Sequence, residues 1–418
     1  MRSGIAALPA LCLAGRALLV GMLALTVSCA AKHDDPTLAQ VAGDAARGRQ
    51  LMDHFECSRC HQGAGLTAAA PEKQCMPCHQ AILDGKTPGP TKEIDARWRE
   101  RIAGLNEAPS LDGTGARFRR RWIVEFLQKP HDLRPLLVST MPRLPITDAD
   151  ARDIAAYLVP KEDPVKERAE DDTLLEDADA DLGRALLVSK GCGSCHWMTG
   201  VPSFTGQPAA VYVADPSRAM TLAPDLRYTR DRMTATKVLA WIKSPKDIKP
   251  DTLMPTTPLT PVEIKNIAAY ILRAPLAPLP RRDMPHTLPN LDRPVLYDEV
   301  RDKVFQRTCW HCHSDPDLDR GDVGPGNVGG FGFEPRHLDL ATYEGIFAGT
   351  VDRDGQRHSI FAPMADGTPR IVAALLARHR EELGGIDPAL RGMPLGLPSL
   401  PMEDIQLVST WIAQGRRR

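Results

Sequence analysis

Eight of the ten cysteines in this 418-residue chain fall into four copies of one five-residue pattern. They are Cys57-Ser-Arg-Cys60-His61, Cys75-Met-Pro-Cys78-His79, Cys192-Gly-Ser-Cys195-His196 and Cys309-Trp-His-Cys312-His313. Two thiols about one helical turn apart can reach the two vinyl groups along one porphyrin edge. The histidine that follows can swing under the ring and give its imidazole to iron. The spacing therefore predicts four covalently attached c-type haems. Cys57, Cys60, Cys75, Cys78, Cys192, Cys195, Cys309 and Cys312 would carry the thioethers, and His61, His79, His196 and His313 would bind the irons. A thioredoxin-like redox pair has no need of a histidine after each second cysteine. A zinc ribbon would pair the Cys-x-x-Cys units but leave the repeated histidine unexplained.

Composition fits a chain whose cores are completed by something other than side chains. Aromatics make up 5% of residues, there are 37 prolines, and a core of ordinary kind would be thin. Each porphyrin is a large apolar filler. The length suggests roughly two to four domains. A net charge of −1 argues against nucleic acid as a partner, which would favour a basic stripe.

The one long apolar stretch lies at the extreme N-terminus, which excludes a polytopic membrane protein. Arg2, then Arg16 ahead of the run Ala17–Val27, has the shape of a signal peptide. Cys29 follows Leu25-Thr26-Val27-Ser28 and resembles a bacterial lipobox, although Thr26 stands where Leu is usual. Lipidation would use the one cysteine that is neither in a motif nor lost with the signal, as Cys12 is. Ala30 after it suggests the outer membrane. The expectation is export to the periplasm and anchoring there by acyl chains, with residues 1–29 as signal and lipobox.

The motifs sit in a repeat. The segment from Met141-Pro142 to Tyr157 aligns without a gap with that from Met254-Pro255 to Tyr270, and a third copy runs from Met393-Pro394 to Trp411. Gly48 and Gly183 each stand nine residues before the first cysteine of a motif. Pro109-Ser-Leu and Pro224-Asp-Leu precede Met141 and Met254 by 32 and 30 residues. On these residues about three quarters of the chain resembles class I bacterial cytochrome c domains. The resemblance implies an N-terminal helix before each attachment motif, a proline carbonyl orienting the proximal histidine, and a Met-Pro loop giving the distal ligand. A C-terminal helix would cross the first at the glycine. It maps proximal ligands to His61, His196 and His313, and distal ligands to Met141, Met254 and Met393.

The expected fold is mainly α: three tandem cytochrome c-like helical domains with haem cores and long Pro/Gly-rich loops. Residues 40–160 form a dihaem domain, 182–273 a monohaem domain and 295–418 a divergent monohaem domain. In the last, Val300 replaces the crossing glycine and Met364 rivals Met393 as ligand. The run Gly321–Gly332 reads as an irregular loop over haem. Between the domains, 161–181 holds ten acidic residues and 274–294 six prolines; these read as a solvated linker and a stiff spacer.

The second motif is an insertion. His61 to Pro109 spans 48 residues where His196 to Pro224 spans 28. Only 14 residues separate Cys60 from Cys75, so these haems should be close neighbours. Residues 62–108 contain no other histidine, so the sixth ligand of this haem comes from His131, from His54, or is absent. His311 reads as exposed and the basic run Arg117–Arg121 as a propionate partner, a docking patch or a solvated helix face. Iron closed on both sides by His and Met passes electrons but binds no substrate. Function is thus expected to be electron transfer between a protein donor and a protein acceptor. The alternative is a haem enzyme, a peroxidase or small-molecule reductase, with an open site on the second or third-domain haem. A gas sensor would need an output domain, and none is visible.

Overall fold

The computed structural model describes residues 42–418 apart from 71–72, 87–91, 103, 132, 138–139, 162–166, 168–170, 172, 205–210, 280–283 and 315–329. The signal segment, Cys29 and most of the glycine-rich run lie outside the described residues. The described chain is mainly helical, and its one ladder pairs Thr350–Val351 with Arg357–His358. Its apolar side chains gather into three principal clusters, called lobes below.

Lobe one is built on two crossing helices, Ala45–His54 and Asp148–Leu158. Asp44 caps the first by accepting from the Ala46 and Arg47 N–H groups, and Thr147 with Asp150 forms a capping box on the second. The crossing is so close that a Cβ on Gly48 would lie 2.0 Å from the Asp153 carbonyl oxygen. The Asp44 N–H donates to Asp153 Oδ1 at 2.7 Å, and Arg47 ion-pairs with Asp150 and Asp153. Lobe two repeats this with helices Ala180–Ser189 and Pro261–Arg273. A Cβ on Gly183 would lie 2.0 Å from the Asn266 carbonyl oxygen, and the Asp179 N–H donates to Asn266 Oδ1 at 2.9 Å. Only glycine fits such an approach, so Gly183→Ala should push the helices apart. The expected cost is about 1–3 kcal/mol, read as a lower midpoint in guanidinium unfolding at unchanged haem content.

Lobe three keeps the plan but not the device. Val300 is fully buried where the glycine would be, and the chain widens into a π-helical stretch, Arg301–Phe305, before the motif. Its last helix, Met402–Ala413, buries Trp411 at the place held by Tyr157 and Tyr270 in the other lobes. Between motif and Met393 this lobe carries the helix Arg370–Glu382, whose Glu381 meets lobe one. There Arg143 donates to the carbonyls of Asp387 (2.8 Å) and Leu390 (2.5 Å) and pairs with Glu381 at 3.0 Å, both side chains being buried.

The segments between lobes are docked. Asp171 pairs with Arg119 and accepts from the Ala235 N–H, and Leu175 is buried in the core of lobe two. The described part of the acidic run is thus pinned rather than solvated: a few apolar residues among the carboxylates, Leu175 foremost, and a carboxylate matched to a helix N-terminus, outweigh the run's mean polarity. In the proline-rich segment the Ala277 N–H donates to Gly200, and Leu288 and Leu291 pack on lobe three. Lobes one and two meet through the Arg119 N–H to the Arg232 carbonyl (2.7 Å), the Asp225 N–H to that of Leu133 (2.8 Å), and a bidentate Arg218–Glu107 pair.

Candidate haem-attachment sites

Three of the four motifs share one local conformation. Cys57–Arg59, Cys192–Ser194 and Cys309–His311 are single 3₁₀ turns, and the histidine N–H after each donates to the carbonyl of the first cysteine at 2.8–3.0 Å. Glu56 and Gly191, just before the first cysteine, both sit in the left-handed region (φ 51° and 76°). The second motif instead begins a regular helix, Cys75–Leu83. That difference fits an inserted attachment site with its own small core of Ile82, Ile102 and Leu105, on which Trp98 and Leu397 pack.

Each of the first three proximal histidines is oriented through Nδ1. His61 Nδ1–H donates to the Pro109 carbonyl at 2.8 Å, His196 to Pro224 at 2.9 Å and His79 to Leu105 at 3.0 Å. Fixing the proton on Nδ1 leaves the Nε2 lone pair free, the arrangement a metal-binding imidazole needs. Burial pushes all three imidazoles below their ordinary range, so they stay neutral donors at neutral pH. In lobe three the Leu340 N–H donates to the His313 carbonyl at 2.7 Å, at the place where Leu111 and Leu226 bind the residue after the histidine in the other lobes.

The methionines put forward as distal ligands lie beside the cores that carry the motifs. Met141 packs on the lobe-one cluster together with Cys57, and Met393 on the lobe-three cluster together with Cys309. Met254 Sδ accepts from Trp241 Nε1–H at 2.9 Å. Met364 belongs to a separate small cluster with Ala373, Ala377 and Leu390. His131 is held elsewhere than at the second motif. Its ring lies 5.7 Å from Phe126 and 5.4 Å from Tyr228, and its Nδ1 binds the Lys129 carbonyl. His54 packs edge-on to Phe55, beside Gly332. Among the described residues no hydrogen bond, ring contact or electrostatic interaction joins either ring to His79.

Three motifs converge. The Cys60 and Cys75 thiols are near neighbours: their mutual interaction, with the charge of Arg59, draws Cys75 down while Cys60 is pushed up. Cys312 lies within electrostatic reach of Cys75 and Arg59. His311 is not exposed: burial pushes its imidazole down to about 4, and His79 lies within electrostatic reach of it. Sequence spacing could not show this, because Gly330–Gly332 of lobe three are held to lobe one by contacts distant in the chain. Among these, Arg59 stacks on Phe331 at 4.8 Å and the Phe331 N–H donates to Glu56 at 3.1 Å.

The basic run splits by position. Arg117 is buried, Arg119 pairs with Asp171, Arg120 donates to the Val159 carbonyl, and Arg121 with Glu125 makes an exposed pair one helical turn apart. Among the described residues no group of three or more His, Cys, Asp or Glu is placed to hold a metal ion by itself. None of the described helices is long and apolar enough to cross a membrane.

A neutral buried imidazole with its Nε2 free, two thiols placed in the turn before it, and a methionine on the same core form a donor set that fits covalent haem. Residues 180–275, which contain Cys192, Cys195, His196 and Met254, match the family model described as Cytochrome c. The chain therefore carries a cytochrome c domain, a haem-based electron-transfer unit with covalently bound haem c and iron. Neither the comparison with curated proteins nor that with solved structures gave a match.

Proposed function

We propose that the chain is a tetrahaem c-type cytochrome that carries electrons between a protein donor and a protein acceptor outside the cytoplasm. The observation that carries this reading is the repeated Nδ1–H bond from a buried motif histidine to a backbone carbonyl, at His61, His79 and His196. It extends the chemistry of the matched segment to both motifs of lobe one. When bound, haem supplies a one-electron couple. Paired cysteines would hold the ring, each neutral imidazole would bind an iron, and Met141, Met254 and Met393 would supply the second protein ligand. Met/His ligation raises the potential relative to His/His. Export follows the signal-like segment, and anchoring follows Cys29, which would become the lipidated first residue at the outer membrane.

The test is haem content and ligation on protein made in a host that attaches haem c. Four haems per chain, with near-infrared signatures of methionine ligation, are expected. A count below four refutes the tetrahaem reading. Cys29→Ala should release the protein from the membrane fraction, and unchanged membrane association refutes the anchor.

A further inference from the structure

Arg117 and Arg232 hold equivalent places in the repeat, each eight residues after the proline whose carbonyl orients a proximal histidine. Both are 7% exposed. Arg117 donates only to backbone carbonyls, those of Ser110 (3.2 Å), Asp112 (3.0 Å) and Gly113 (3.5 Å), and Arg232 donates to that of Tyr228 (3.3 Å). Among the described residues neither forms an ion pair. Of the four carboxylates in electrostatic reach, three are committed elsewhere: Asp112 accepts from the Ala64 N–H, Asp225 from the Thr199 and Arg227 N–H groups, and Asp251 pairs with Lys249; the fourth, Asp231, has its carboxyl raised by burial. Burial and the charge of Arg117 lower Arg232 to about 10. Two buried guanidiniums that repel each other are costly unless an anion joins them.

The geometry puts this pair on the seam between lobes. Arg232 belongs to lobe two, yet its guanidinium stacks on lobe-one rings, 5.7 Å from Phe118 and 6.0 Å from Trp122. Arg117 lies 5.0 Å from the same Phe118 ring. The Arg119 N–H to Arg232 carbonyl bond ties the two backbones at this point. Arg134, which donates to the Glu107 carbonyl, adds a third positive charge. Arg134 lies within electrostatic reach of both His61 and Arg232, and Arg232 within reach of His196. The cation cluster thus adjoins both proximal ligands.

We propose that Arg117, Arg134 and Arg232 form one cation cluster shared by the propionates of the lobe-one and lobe-two haems, so that these two haems are charge-coupled neighbours. The proposal rests on the haem reading above. Each haem brings two carboxylates, and charge-assisted bonds from guanidinium are the strong pairing for them. With Cys60 against Cys75, and Cys75 in reach of Cys312, the spatial order of the haems departs from chain order. It runs from the haem at Cys192, through those at Cys57 and Cys75, to that at Cys309. The terminal haems, where outside partners would exchange electrons, are then those of lobes two and three.

The test is Arg232→Gln on the full haem-loaded chain, with each haem's potential resolved by spectroelectrochemistry. The two haems are told apart by the methionine signal lost in Met141→Ala or Met254→Ala. A nearby positive charge favours the reduced haem, so its removal lowers the potential. Both the lobe-one and lobe-two haems should become about tenfold harder to reduce at a fixed poise, about 59 mV for one electron, while the lobe-three haem stays put. Arg232→Lys, which keeps the charge, should restore most of the shift, and Arg117→Gln should reproduce the paired shift from the other lobe. A shift confined to the lobe-two haem, or no shift at either, with four haems still bound, overturns the proposal. Fewer than four haems in the parent protein overturns the tetrahaem reading instead.

Discussion

Replacement of Met254 by alanine should leave four haems attached but open one iron. The ferrous variant should then bind one more carbon monoxide per chain than the parent, and the lobe-two haem should lose its methionine signature. The attachment groups are untouched: Cys192 and Cys195 flank their own turn, and His196 remains fixed by the Pro224 carbonyl. What disappears is the sulfur that accepts from Trp241 Nε1–H, a side chain that packs on the same core as Cys192. Alanine offers no donor atom, and among the described residues no other side chain donates to that sulfur. Loss of a thioether also removes the ligand that favours the ferrous state, so the potential of this haem should drop. An unchanged spectrum with no added carbon monoxide would show that Met254 is not a ligand. Met393→Ala and Met364→Ala give the same reading for lobe three. The first is expected to open an iron and the second to leave every spectrum as it was, because Met364 packs in a cluster apart from Cys309.

How far such a site can be read from residues depends on the range of the interactions that make it. The attachment turns were legible because thioether chemistry fixes cysteine and histidine within five positions, and the structure gives three of them one shape. The crossings at Gly48 and Gly183 were legible as well, since a steric demand that only glycine meets recurs at one distance from the motif. The fate of the run Arg117–Arg121 was not. Five adjacent positions, four of them arginine, end up buried, stacked, ion-paired and exposed, because each is decided by the element packed against it. His311 was misjudged for the same reason: its surroundings come from lobe one, which its own sequence neighbourhood does not describe. The acidic segment shows the opposite failure. Its average composition is that of a solvated linker, while a few apolar residues, Leu175 foremost with Ala178 and Ala180, and the capping carboxylate of Asp171 dock it.

The contact between lobes one and three yields the largest expected change in stability. Glu381 is 3% and Arg143 10% exposed in their side chains. Glu381 Oε1 accepts from Arg143 Nε at 3.0 Å and from the Gly392 N–H at 2.9 Å, and Arg378, also buried, lies 3.7 Å from Oε2. Glu381→Ala therefore takes from buried Arg143 the carboxylate it pairs with, and from Arg378 one of two nearby carboxylates, the other being that of Glu382 at 3.9 Å. Removing one partner of a buried pair costs about 3–5 kcal/mol, and this variant belongs in that range, with a clear fall in the guanidinium midpoint. Arg143→Met should cost less: Glu381 keeps Arg378 and the Gly392 N–H, and the methionine stem fills part of the space. The double variant should be more stable than the sum of the two losses implies, since the cation that alanine strands is already gone. The change should also reach the haems. Arg143 ties Asp387 and Leu390 to lobe one, and Leu397, a few residues on, packs on the small core around the second motif. Loosening this seam should alter the spectrum of the haem at Cys75–Cys78 before that of the haem at Cys192–Cys195, which lies in the lobe that seam does not touch. A loss below about 1 kcal/mol, the size of an exposed pair, would mean that water reaches these charges and that the two lobes part in solution.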